Sequence, residues 1–409
     1  MPLTGRVNQM AFIESPSFRP HATNTSINYR DLLSDLLAQS SFPPSTSFRE
    51  KLGGRELVLF GAGEGIHLFV ETAWFLHGHR PSLVLDRRFR TGDNYFDVQA
   101  CSPDNCNWSY SRRENALVVL TVGNPMHEAE LRERAISMGF RDIVTMMSVY
   151  EVHQPFMEPR DLEEDRYVFF KKNAHSILRV YDLLHDEESK AIYYSVIRNH
   201  CSRRPDRVPM RPKDEHNLPR DLPFLINYGQ YVCCGYSPEI FGNTIRNLGT
   251  RVQRVLVVDP MISSFDQEQL PCELTFVPCA LDSQEAILNF TSISKARGNT
   301  FGCRILPNGE TYARATRLDT IVGNMQPTFI SMDIEGAELK ALSGAIKTLI
   351  RSKPTLALCT YHSVDHIWKI PELIDSLNLG YRFWLRNYSS FCLETVLYAT
   401  PNTDITAKD

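Results

Sequence analysis

Several polar residues in the second half of the chain stand at the ends of apolar runs, where an open parallel sheet presents its ligand-binding groups. Asp259 follows RVLVV, Asp333 and Glu335 follow TFISM within SMDIEGAEL, and His362 follows TLALCTY. Asn227 closes LPFLIN, while Cys279, Ala280 and Asp282 follow LTFVP. A carboxylate at such a strand end accepts hydrogen bonds from both hydroxyls of a ribose, and this is the role expected of Asp259; an Asp before Pro260 also simply caps a turn. Asp333 and Glu335 open a strand-to-helix junction in which Gly336 allows close backbone approach, although acids there also suit the helix dipole without catalytic duty. His362 is expected to face Asp333 across one cleft, as an imidazole able to take a proton near neutral pH. Asp333 and Glu335 could ligate a divalent cation, but two carboxylates alone do not establish a site.

The elements that must position these residues follow from periodicity. After Asp221 the chain alternates LPFLIN, a helix from about 238 to 248, RVLVVD, LTFVPC, AILNF, TFISMD, a helix from 337 to 350, TLALCTYH and a helix near 371 to 378. Alternation of this kind predicts a mostly parallel sheet covered on both faces. YRFWLRNYSSFCLETVLYAT predicts two strands joined too briefly for a parallel crossover, hence an antiparallel pair. The fold class is therefore α/β, with a doubly wound sheet finished by an antiparallel hairpin in residues 221–409, the architecture of class I methyltransferases.

An earlier and smaller α/β unit is expected over residues 51–150. ELVLF, the turn Gly61-Ala62-Gly63-Glu64-Gly65, an apolar-rich helix and SLVLD form a βαβ pattern, with Asp86 at the end of its second strand. Gly61, Gly63, Gly65 and Asp86 suit a dinucleotide or sugar-nucleotide site, but the fingerprint's third glycine would fall at Ile66, and such a turn can also serve only tight strand-helix packing. Residues 1–50 read as an arm with one short helix. Residues 151–220 read as a helical connector, with Ile177, Val180, Leu184, Ile192 and Val196 at helical spacing, followed by a proline- and arginine-rich loop over 202–220. That loop is either solvated or a clamp for an anionic substrate.

Composition narrows the partners. A net charge of -4 gives no general attraction to nucleic acid or to anionic membranes. No apolar run approaches the roughly 20 residues that span a bilayer, and the N-terminus lacks a basic segment before an apolar core, so a soluble, cytoplasmic protein is expected. The ten cysteines lie scattered in apolar segments and suit reduced thiols. Cys101 and Cys106 have no second ligand pair at zinc spacing.

The run from FISMDIEGAELKALSGAI through TLALCTYHSVDH to TVLYA resembles the C-terminal half of FkbM-family methyltransferases, and RLDTI at 317 to 321 and LLHDEESKAIYYSVIRN at 183 to 199 extend the likeness. The N-terminal unit resembles the small Rossmann-like domains that precede some of them. The resemblance implies S-adenosylmethionine as cofactor and transfer of its methyl group to a hydroxyl of a small molecule, a sugar or a secondary metabolite. It implies Asp333 or His362 as the base, Asp259 on the ribose, and Cys279 to Asp282 bordering the adenine. The family's Asp-x-Gly-Ala-x-x-Gly loop is expected at Asn227 to Gly235, with Gly229 and Gly235 as its glycines. There Asn227 cannot offer the cofactor's amino group a carboxylate. That departure keeps a second reading open, a catalytically silent methyltransferase fold acting in binding or assembly. A third is a nucleotide-sugar oxidoreductase working through Gly61 to Asp86. The acceptor and the oligomeric state, a homo-oligomer included, are left open.

Overall fold

The computed structural model describes residues 27–42, 47–122, 125–149, 151–152, 165–202, 208–260, 272–292, 303–305, 311–389 and 393–401. It is a mixed α/β structure with three sheets. The first contains β1 (Leu57–Phe60), β2 (Leu83–Leu85), β3 (Asp93–Tyr95), β4 (Val98–Cys101), β5 (Leu117–Leu120) and β6 (Asp142–Thr145), in the order β3-β4-β2-β1-β5-β6. All its pairings are parallel except β3 with β4. Its short apolar strands are buried on both faces: Leu57, Leu59 and Val119 enter one core, and Val58, Phe60 and Val118 the other. Such continuous apolar runs are what a parallel sheet covered on both sides requires.

The later strands are β7 (Gln230–Cys234), β8 (Arg254–Val258), β9 (Glu273–Val277), β10 (Ala280–Leu281), β11 (Ala286–Ser292), β12 (Cys303–Ile305), β13 (Thr311–Thr316), β14 (Phe329–Met332), β15 (Thr355–Cys359), β16 (Tyr381–Asn387) and β17 (Thr395–Pro401). Seven of them form one sheet in the order β16-β17-β15-β14-β7-β8-β9. Its inner pairings are parallel, and β17 pairs antiparallel with both β15 and β16. Strand alternation sends Val232, Leu256, Ile330 and Leu356 into one core and Tyr231, Val255, Phe329 and Ala357 into the other. The helices Ala174–Leu183 and Glu187–Ser202 supply Ile177, Val180, Ile192 and Val196 to the first core, joined by Leu184 just past the earlier helix.

Three differences from the sequence expectations have physical causes. LPFLIN forms no strand; the first strand of the large sheet is Gln230–Cys234, whose five residues pair with β8 and β14. The helix expected over 337 to 350 is broken into Glu338–Ser343 and Ile346–Ser352. The break lies at Gly344, where an added Cβ would meet the Asp282 carbonyl oxygen at 2.3 Å. A third, four-stranded sheet, β10-β13-β11-β12, was not expected; the AILNF strand, expected in the large parallel sheet, lies in it as β11, antiparallel to β12 and β13. Among the described residues no helix is long and apolar enough to cross a membrane.

The basic loop also differs from an anion clamp where it is described. Arg211 pairs with Glu188 at 2.5 Å and with Asp221 at 3.1 Å, and Arg220 pairs with Asp214 at 2.8 Å. The buried Arg386 on β16 completes this network with Asp186 at 2.7 Å and Asp221 at 2.6 Å, so the charges tie the connector to the terminal hairpin. The loop's other arginines, Arg203, Arg204 and Arg207, lie outside the described residues.

Candidate active site

The carboxyl ends of β14 and β15 bring Asp333 and His362 together. Asp333 follows β14 directly, and its amide donates to the Cys234 carbonyl at 2.9 Å. His362 sits three residues past β15 and is 1% exposed. Its Nε2 lies 3.3 Å from Asp333 Oδ1 and 3.6 Å from Glu335 Oε2, while its Nδ1 lies 2.8 Å from Glu338 Oε1. The Tyr361 hydroxyl donates to Asp333 Oδ1 at 3.2 Å. Asp333 and Glu335 keep 32% and 27% side-chain exposure, so the carboxylates form the rim and the imidazole lies behind them.

The charges set one another. Burial opposes a charge on His362, but Glu338, Glu335 and Asp333 outweigh it and raise its pKa to about 9. At neutral pH the ring is therefore an imidazolium, hydrogen-bonded through Nδ1 to Glu338 and ion-paired through Nε2 with Asp333 and Glu335, which makes it a poor proton acceptor. Burial raises the Asp333 carboxyl; the His362 cation pulls it back and Glu335 and Glu338 push it up again, leaving it at about 6. Burial likewise disfavours the Glu338 carboxylate, yet His362 holds it well below the usual range. Of Asp333 and His362, the Asp333 carboxyl is therefore the one largely deprotonated at neutral pH.

Sequence reading missed Glu338 and His366. Glu338 is fully buried, and its Oε2 approaches His366 Nδ1 at 3.2 Å without hydrogen-bond alignment. The signal was present in the spacing: position 338 shares a helix face with Ala341 and Leu342, which are both buried. A charged residue on a core-facing stripe needs partners, and His362 and His366, four residues apart, are the nearby candidates.

Beside this cluster lies the rim of β7, β8 and β9. The Asp259 carboxylate accepts from the Tyr236 amide at 2.9 Å. The Val277 carbonyl accepts from the amides of Asp259 at 3.3 Å and Cys279 at 2.9 Å, so these two residues are neighbours. Cys279 and Ala280 are buried, and burial raises the Cys279 thiol to about 11. Asp282 is also buried; its carboxylate accepts from the Ser283 amide at 2.6 Å and lies 3.6 Å from Lys340 Nζ. Gly235, in the left-handed region at φ 87°, turns the chain out of β7 directly against Asp333.

Asn227 and Gly229 are not on this rim. They precede β7, where the Asn227 side chain accepts from the Gly229 amide at 2.9 Å and the Gly229 carbonyl accepts from Gln253 and Arg254 at the start of β8. They lie one strand length away, roughly 16 Å at about 3.3 Å per residue. The cause is the strand shift: with QYVCC as the strand, the glycine at its carboxyl end is Gly235 and only Gly235.

In the N-terminal sheet, Gly61 takes φ 106°, and a Cβ there would meet Val122 at 2.8 Å; one at Gly65 would meet the Thr121 carbonyl oxygen at 2.6 Å. These two glycines are accounted for by packing of strand against helix. The Asp86 carboxylate accepts from the Ala62 amide at 2.7 Å and from Arg88 Nε at 2.8 Å, and Arg88 also donates to the Ala62 carbonyl. The arginine and the turn thus hold the carboxylate expected on a ribose. Gly63 has open space around its Cβ position. Gly63→Ala is expected to change unfolding free energy by less than about 0.5 kcal/mol, and Gly65→Ala to destabilise by about 1–3 kcal/mol. Denaturant titration of both variants checks this, and equal behaviour would remove the packing explanation. Among the described residues no group of three or more His, Cys, Asp or Glu side chains is arranged to hold a metal ion.

Residues 270–383 match the family model described as the methyltransferase FkbM domain. Within the C-terminal half, residues 270–383 are thus similar to an FkbM methyltransferase domain. The fold is similar to the crystal structure of methyltransferase FkbM from Methylobacillus flagellatus KT, with a TM-score of 0.60, 19% identity, and 91% of this chain and 97% of that chain covered. At that identity the likeness speaks to the fold alone. A GsuK structure bound to ADP (TM-score 0.20, 9% identity, 85% of this chain and 75% of that one) and a GsuK RCK domain (0.19, 8%, 87% and 84%) are too different in shape to carry an argument. No curated protein matches the chain.

Proposed function

We propose that this chain transfers a methyl group from S-adenosylmethionine to a hydroxyl oxygen of a small molecule or sugar. The observation that carries the reading is the pairing of Asp333, at a pKa of about 6, with the buried His362 cation at the carboxyl ends of β14 and β15. The chemistry of the neighbouring rim suits the cofactor: a tight glycine turn at Gly235, a carboxylate at Asp259 suited to a ribose diol, and the buried segment from Cys279 to Asp282 beyond it. Bound there, S-adenosylmethionine would supply an electrophilic methyl group on a sulfonium.

The remaining work falls to the chain's own side chains. Asp333, ionised above about pH 6, takes the acceptor's hydroxyl proton as its oxygen attacks. Tyr361 donates to the Asp333 carboxylate and the His362 cation forms an ion pair with it, and together they hold its orientation. Alignment of the attacking oxygen supplies much of the acceleration in such a displacement. Asp333 and Glu335, both at the rim, also suit neutral acceptors with several hydroxyls better than anionic ones, through hydrogen bonding and charge.

The silent-fold reading loses its first motive, because Asn227 lies at the opposite sheet end. A narrower motive replaces it. Cys233-Cys234-Gly235 stands where the family pattern has Asp-x-Gly, so a buried thiol, raised to about 11, replaces the carboxylate. Calorimetry decides between the readings. S-adenosylmethionine is expected to bind the folded protein, and Asp259→Ala to weaken it about 10- to 100-fold through lost hydrogen bonds to a charged group. Folded wild-type protein that takes up no S-adenosylmethionine would put the silent fold first.

A further inference from the structure

Glu338 makes contacts that no role in proton transfer requires. Its Oε1 accepts from the Ile334 amide at 3.0 Å and the Gly336 amide at 3.4 Å, besides facing His362 Nδ1 at 2.8 Å. These contacts tie the helix Glu338–Ser343 to the turn after β14 and to the segment after β15. Between the two held amides sits Glu335, a non-glycine residue at φ 56°, a left-handed conformation that such residues adopt only where their surroundings enforce it. Held in that way, its Oε2 points at His362 Nε2 from the same side as Asp333. Glu338 itself is fully buried and lies behind the rim.

We propose that Glu338 is a positioning residue: through Ile334, Gly336 and His362 it fixes the turn carrying Asp333 and Glu335 and the imidazole that faces them. The proposal rests on the reading of this rim as a methyl-transfer site. The groups that face His362 are Asp333 and Glu335 on the turn, Glu338 on the helix, and its neighbour Tyr361, with ring centroids 4.1 Å apart. His366 adds a second imidazole on Glu338, and Cys359 and Glu394 act on the same cluster through Tyr361.

The test is Glu338→Gln, which keeps the shape and removes the charge. The imidazole nitrogens of His362 are followed by NMR against pH, without donor or acceptor, and kcat and KM are measured separately. Wild-type His362 is expected to titrate at about 9, and the variant about one unit or more lower. The variant's kcat is expected to fall about 10- to 100-fold, with the KM for S-adenosylmethionine unchanged because the Asp259 side of the rim is untouched. Wild-type titration at the ordinary value of about 6.5, an unchanged kcat, or a donor KM that rises in proportion to the lost rate would each overturn the proposal. If Glu338→Gln does not fold, Glu338→Asp carries the test: the charge stays, so His362 stays protonated while kcat falls, and an unchanged kcat overturns the proposal. Absence of methyl transfer in the wild type would overturn the function and leave the titration to judge the clamp.

Discussion

Asp333→Asn is expected to slow methyl transfer by about 10²- to 10⁴-fold, the usual contribution of a positioned base, while the fold is retained. Asparagine keeps the size and can still accept from the Tyr361 hydroxyl, which reaches Asp333 Oδ1 at 3.2 Å. What it loses is the ability to take a proton. The pH dependence supplies the sign. Asp333 works in its ionised form, so wild-type turnover rises as pH passes upward through about 6. His362 is the strongest influence pulling that carboxyl down against its burial. Replacing the cation by glutamine therefore moves the acid limb of the rate profile to higher pH, and Asp333→Asn removes the limb along with the rate. Steady-state rates across the acid and neutral range measure both effects. A wild-type rate in Asp333→Asn, or an acid limb that stays in place in His362→Gln, would end the assignment of the base.

The parts of this arrangement that were legible in the sequence are those carried by long apolar periodicity. TFISM, TLALC and RVLVV are buried strands, and the polar residues after them converge because parallel strands share one carboxyl end. Asp259, Asp333 and His362 could therefore be placed on one rim without a structure. The error at Asn227 came from two adjacent segments with similar patterns. LPFLIN and QYVCC are both short and apolar, and only pairing with β8 and β14 shows which one enters the sheet. Glu338 was passed over for a different reason. Acids at helix starts are common for dipole reasons, and its burial depends on His362 and His366, which are distant in sequence. The four-stranded sheet was missed because β10 and β12 are only two and three residues long and the strands pair out of sequence order, with β13 between β10 and β11.

The glycine at the end of β7 carries the other large expected effect. Gly235 takes φ 87°, and an added Cβ would lie 1.9 Å from the Asp333 carbonyl oxygen and 3.2 Å from Ile334 Cγ2. Neither neighbour can withdraw cheaply. The Gly235 amide donates to Val258 at 2.9 Å and the Asp333 amide donates to Cys234 at 2.9 Å, so relief of the clash must open the sheet beside the reacting groups. Left-handed strain and overpacking each cost about 1–3 kcal/mol, so Gly235→Ala is expected to lose about 2–6 kcal/mol of unfolding free energy. Gly242 is the control, in the helix Pro238–Leu248, where an added Cβ meets nothing nearer than Arg246 Nη2 at 3.8 Å. Gly242→Ala is expected to be neutral or to stabilise by up to about 1 kcal/mol. Denaturant titration compares the two. Because the strained contact is with Asp333 itself, transfer by the folded fraction of Gly235→Ala must also fall, and a variant equal to Gly242→Ala in both stability and rate would show that this close approach does not hold the site.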